Sequence, residues 1–212
     1  MKKILIYGDS NVWGDNFITG KRIPDENQWV NILRDNLGSE YQIFQEGLPG
    51  RIAGNEDRTK PYKNGKDTFM SIFRTNAPVD TLVIALGTND LQLKYNKSSQ
   101  KIINDLLWYE NTVKELYEDE ESKIKYFVDE KMPRIIYILP INFDYKVDAS
   151  VVFDEKSEKK RNEIIDYFKK NKNDIVIFNE LDLFKDGIHL NYEGHKKVAD
   201  RMYEVVENEK CW

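Results

Sequence analysis

Ser10 stands in the run Gly8-Asp9-Ser10-Asn11, and His189 stands three residues after Asp186 in Asp186-Gly187-Ile188-His189. A hydroxyl, an imidazole and a carboxylate are the groups that acyl transfer through a serine nucleophile requires. The chain holds only two histidines, His189 and His195. Histidine is the side chain that most readily takes a serine proton at neutral pH. An aspartate three residues before it can hold the imidazole Nδ1–H while Nε2 faces the serine. Two further polar blocks accompany these: Glu46-Gly47-Leu48-Pro49-Gly50-Arg51 and Gly87-Thr88-Asn89-Asp90. Each block alone reads as a turn or a helix cap. Together they offer a hydroxyl, a base, an orienting carboxylate and groups able to steady an oxyanion.

The surrounding elements decide whether these residues meet. Short apolar runs at residues 2–7 (KKILIY), 41–44 (YQIF), 81–86 (TLVIAL), 134–139 (RIIYIL) and 174–178 (DIVIF) read as strands. The third and fourth are continuously apolar, as in strands covered on both faces. Helical spacing of apolar residues recurs at 26–37, 66–75, 99–117, 153–170 and 192–206, the last with Asn191 as its N-cap. The charge-rich stretch 118–131 reads as an exposed helix extension or loop. Strands alternating with helices predict a parallel sheet with helices on both faces: an α/β, three-layer α/β/α sandwich with five strands, flavodoxin-like. Ligands of such sheets bind beyond the carboxyl ends of the strands. The four polar blocks follow the first, second, third and fifth strands, and so arrive at one edge.

With 212 residues the chain fits a single domain spanning 1–212, and no repeat or low-complexity linker interrupts it. Its net charge of −5 argues against a nucleic-acid partner, which would call for a basic face. No apolar run reaches the roughly 20 residues that span a bilayer, so no membrane partner is expected. Asp9 arrives too early for a signal-peptide apolar region, and the expected compartment is the cytoplasm. The one cysteine, Cys211, can form no internal disulfide and is expected to be inert.

The four blocks, in this order, resemble those of the SGNH (GDSL-like) hydrolases, and the resemblance runs from Gly8 to His189. It implies that Ser10 is the nucleophile, His189 the base and Asp186 its orienting carboxylate. It further implies an oxyanion hole made by the Ser10 and Gly47 backbone N–H groups and the Asn89 side-chain amide. Gly-Asp-Ser-Asn-Val-Trp-Gly, with Trp13, and Glu46-Gly47-Leu48 with Arg51 look most like the small arylesterase/acyltransferase branch, which includes oligomers. Three positions depart from the family pattern: Asn11 where leucine is usual, Gln45 where many members carry asparagine, and Ile141-Asn142-Phe143 in place of a proline-rich run.

The implied activity is a serine esterase that hydrolyses or transfers short acyl groups of a small-molecule ester, with no cofactor and no metal. Acetylated carbohydrates, thioesters and lysophospholipids are alternative substrates within the same family. Trp13 fits either a wall of the acyl pocket or a core position. Arg51 fits either a contact to an acidic substrate group or a plain surface position. Asp9 and Asp90 are expected to brace the site, and His195 to be structural. Two readings of other kinds compete. One is a metal site built from Asp9, Asp186, His189 and His195. The other is a non-enzymatic module that holds an anion at Gly8–Asn11. The α/β-hydrolase alternative needs Gly-x-Ser-x-Gly, and position 12 is valine.

Overall fold

A computed structural model describes residues 1–147 and 152–207. Cys211 lies outside the described residues.

The sheet contains β1 (Lys2–Gly8), β4 (Tyr41–Gly47), β5 (Thr81–Ala85), β6 (Arg134–Ile138) and β7 (Ile175–Val176). They lie in the order β4-β1-β5-β6-β7, and every pairing is parallel. Successive side chains of a strand point to opposite faces, and here both faces are covered. Leu5, Tyr7, Leu82, Ile84 and Tyr137 pack with Phe69 and Phe73 of α3 (Gly65–Asn76), Leu106 and Tyr109 of α4 (Ser99–Glu118), and Ile164 and Phe168 of α6 (Glu155–Asn171). Ile4, Ile6, Val83 and Ile136 pack on the other side with Trp29 and Leu33 of α2 (Trp29–Leu37) and Val198 and Met202 of α7 (Tyr192–Glu207). The result is the expected five-stranded three-layer α/β/α sandwich. Between α4 and β6, the charged stretch forms a short helix, α5 (Glu120–Tyr126), capped by the Asp119 carboxylate on the Ser122 N–H.

Three local differences from the sequence reading bear on the site. β4 runs three residues further than its apolar part, to Gly47, because the polar Gln45 and Glu46 still pair along β1. Gln45 is held there by bonds from its amide to the Val12 carbonyl and the Gln28 side chain. β7 is shorter than expected, because the chain turns aside after Val176 and Arg161 takes the Phe178 carbonyl at 2.6 Å. Between β1 and α2 lie two elements with no apolar periodicity to announce them. These are a four-residue helix, α1 (Ser10–Trp13), and a small hairpin, β2 (Asp15–Asn16) with β3 (Lys21–Arg22).

Candidate active site

β1 and β4 end side by side, with Gly8 paired to Gly47, and α1 starts immediately beyond them. Close approach explains both glycines. A Cβ on Gly47 would fall 2.3 Å from the Trp13 nitrogen, and one on Gly8 would fall 2.2 Å from a Val12 methyl. The backbone of α1 therefore lies directly against the strand ends. The Asp9 carboxylate caps this short helix by accepting the Asn11 N–H at 3.0 Å. Ser10 is its first residue, so the Ser10 N–H has no acceptor within the helix.

The loop after β7 brings the other partners. Asp186 Oδ1 accepts the N–H groups of Ile188 and His189, at 3.1 and 3.2 Å, which folds the segment into a tight turn. Gly187 sits at its apex with φ +69, where a side chain would be strained. The turn sets His189 Nδ1 2.5 Å from Asp186 Oδ2 and His189 Nε2 3.1 Å from Ser10 Oγ. Asn11 ties this loop to α1, accepting the Leu190 N–H at 2.9 Å through its side-chain oxygen. The three side chains thus form a continuous hydroxyl–imidazole–carboxylate chain at the carboxyl edge of the sheet.

Residues 4–202 match the family model described as GDSL-like Lipase/Acylhydrolase. The chain belongs to that family.

This GDSL-like protein is therefore placed among hydrolases of carboxylic esters, and its fold is that of the SGNH hydrolases. The M. smegmatis aryl esterase superposes with a TM-score of 0.81 at 22% identity, over 98% of this chain and 99% of that one. A carbohydrate acetylesterase family member from Sinorhizobium meliloti gives 0.81 at 24% identity, over 98% of each chain. A lipase/acylhydrolase from Enterococcus faecalis gives 0.66 at 15% identity, over 99% of this chain and 97% of that one. At these identities the likeness is one of fold. No curated protein matches the chain in sequence.

Electrostatics follow from burial. Burial pushes the His189 imidazolium pKa down, but the hydrogen bond and charge of Asp186, with the charges of Asp15 and Asp9, outweigh it and raise the pKa above 6.5. Burial pushes the Asp186 carboxyl up, and the His189 bond and charge with two backbone N–H groups bring it below 3.8. Burial also pushes Asp9 up to about 6, despite its bond from the Asn11 N–H.

Asn89 begins a 3-10 turn (Asn89–Leu91) after β5 and is buried beside the strand ends. Its Nδ2 donates to the Arg51 carbonyl at 3.1 Å and approaches Asp9 Oδ2 at 3.5 Å, while its Oδ1 accepts from Gln92. Asp90 faces the other way. It accepts the Ala53 N–H at 2.7 Å and meets Lys97 Nζ at 2.6 Å. Lys97 is buried and also lies 2.6 Å from Asp105 and 2.9 Å from Glu56. This braced wall holds the loop 48–54 against Asn89, in keeping with the expectation for Asp90.

Arg51 corrects its expectation. It is only 4% exposed, its guanidinium donates to the Gly8 and Glu46 carbonyls, and it lies 4.1 Å above the Tyr7 ring. A guanidinium committed to strand-end carbonyls and an aromatic face is not a plain surface group; it ties β1 to β4 beneath Ser10. Trp13 is half-buried at the end of α1, with the Arg22 guanidinium 5.5 Å from its ring.

His195 is buried in the first turn of α7 and accepts the Trp29 N–H through Nδ1 at 3.2 Å. Burial pushes it down to about 4, so it is a neutral structural acceptor at physiological pH. The four residues of the metal reading do not converge. Among the described residues, the group of three or more carboxylates and imidazoles that comes within ligand reach is Glu56, Asp90 and Asp105. The Lys97 ammonium already stands among those three. No described helix is long and apolar enough to cross a membrane.

Two contributors escaped the sequence reading. Lys97 sits in an Asn-Lys-Ser-Ser run that looks like a solvated turn. Asp15 reaches the site only because Gly14, with φ +87, reverses the chain after α1.

Proposed function

We propose that this chain is a serine esterase that hydrolyses, or transfers, short acyl groups of carboxylic esters through an acyl-enzyme on Ser10. The observation that carries the reading is the 3.1 Å contact of Ser10 Oγ with His189 Nε2, in line with the 2.5 Å contact of His189 Nδ1 with Asp186. His189 Nε2 takes the Ser10 proton as Oγ attacks the ester carbonyl. The carbonyl oxygen becomes an oxyanion, received by the Ser10 and Gly47 N–H groups and Asn89 Nδ2. The 3.5 Å contact from Asn89 to Asp9 is long for an N–H···O bond, so that hydrogen can turn to a better acceptor. When the tetrahedral species collapses, the alcohol oxygen leaves with the proton held on Nε2. Water then attacks the acyl-serine by the same route, releasing the acid and restoring Ser10. An acceptor alcohol in place of water completes acyl transfer. Asp186 keeps the imidazole in the required tautomer and offsets its charge.

The short acyl group draws support from the Sinorhizobium meliloti neighbour, named a carbohydrate acetylesterase. The test is Ser10→Ala. Turnover of a short-chain p-nitrophenyl ester should fall by several orders of magnitude, with the melting transition retained. Turnover within a few-fold of wild type would contradict the assignment.

A further inference from the structure

Asp15 opens the β2–β3 hairpin at the mouth of the site, and its Oδ2 lies 4.0 Å from His189 Nε2, the nitrogen that faces Ser10. Its cross-strand neighbour Arg22 does not engage it; the guanidinium donates to the Trp13 carbonyl at 2.6 Å. Among the described residues, the contact to His189 is the one ion pair or hydrogen bond of the Asp15 carboxylate. The side chain is 23% exposed, so the carboxylate is partly withdrawn from water and open toward the site.

From this we infer that Asp15 is a specificity-determining residue, selecting esters whose alcohol carries a hydroxyl on the carbon adjacent to the one that bears the ester oxygen, as in polyols and sugars. The inference rests on the esterase reading above. In that reading the leaving oxygen must come within hydrogen-bond reach of Nε2 to collect its proton. Substituents beside that oxygen then pass along the Asp15 carboxylate. A carboxylate accepts hydrogen bonds and donates none. A neighbouring hydroxyl meets it with a charge-assisted bond. A plain alkyl or aryl group strips water from the carboxylate and returns nothing. An anionic alcohol is repelled.

A purely electrostatic role, in which Asp15 only stabilises the protonated His189, would change all esters alike. The experiment separates the two. The specificity constant kcat/KM is measured by pH-stat for glycerol monoacetate and for propyl acetate, with wild type, Asp15→Ala and Asp15→Asn, alongside p-nitrophenyl acetate. The preference for the glycerol ester over the propyl ester should fall by about tenfold in Asp15→Ala. It should fall less in Asp15→Asn, whose amide oxygen still accepts from a hydroxyl. An unchanged preference overturns the inference, as does an equal fall on both alkyl esters. Wild-type turnover of p-nitrophenyl acetate alone also overturns it, and leaves the esterase reading standing. Wild-type protein that turns over none of the three esters overturns both.

Discussion

His189 Nδ1 lies 2.5 Å from Asp186 Oδ2, while Oδ1 of the same carboxylate holds the backbone N–H groups of Ile188 and His189. One carboxylate thus fixes both the turn and the ring, and together with the charges of Asp15 and Asp9 it outweighs the burial that would drive the imidazolium pKa down. The result is an imidazole whose pKa is raised above 6.5.

That direction sets the pH profile. A general base works when neutral, so activity should rise with pH, with a midpoint above 6.5. Asp186→Asn removes the chief raising influence, so the midpoint should move to lower pH. The plateau rate should fall by as much as about 10⁴-fold, because the imidazole loses its orienting acceptor. Rate–pH profiles of both proteins check this. A flat wild-type profile, or a variant midpoint displaced upward, would contradict it.

Asn89 offers a second test. Its amide now donates to the Arg51 carbonyl and turns toward Asp9. As an oxyanion donor it matters most when charge develops on the carbonyl oxygen. Asn89→Ala should therefore lower kcat by ~10²–10³ with a smaller change in KM. Asn89→Asp should be at least as damaging, since a carboxylate cannot donate while ionised. A fall in kcat below about threefold in the folded Asn89→Ala protein would leave Asn89 as a turn residue, short of the ~10²-fold loss of a missing donor.

Lys97 tests the wall behind that loop. Burial alone would push its ammonium pKa down, but the Asp90, Asp105 and Glu56 carboxylates outweigh burial and hold it above the ordinary lysine value. Lys97→Met leaves buried carboxylates without their counter-charge, although Lys66 and Lys101 still face Asp105. Breaking a buried pair in this way costs about 3–5 kcal/mol. Urea unfolding of wild type and variant measures it, and a loss under about 1 kcal/mol, the scale of an exposed pair, would show that the network is not needed.

The sheet and the meeting of Ser10, His189 and Asp186 were legible because each has a local signature. Continuous apolar runs such as 81–86 mark covered strands, and Asp186 lies one tight turn from His189. What escaped depends on contacts far apart in the chain. α1 has four residues, too few to show a period, and its place is set by the Gly8 and Gly47 backbones. Asp15 and His189 meet through a left-handed Gly14 that no apolar pattern reveals. The surface alternative for Arg51 fails because the Tyr7 ring and two strand-end carbonyls, far off in the chain, draw it inside. Lys97 looks solvated until Asp90 and Asp105 are folded around it.

A Ser10 nucleophile activated by His189 should react with an electrophile that mimics the ester carbonyl. The most direct measurement is intact-mass analysis after incubation with a fluorophosphonate, followed by peptide mapping. One adduct per chain is expected, on the peptide carrying Ser10, formed faster as pH rises through the His189 midpoint and missing from Ser10→Ala. Folded wild-type protein that takes up no label, or a label that persists undiminished in Ser10→Ala, would contradict it.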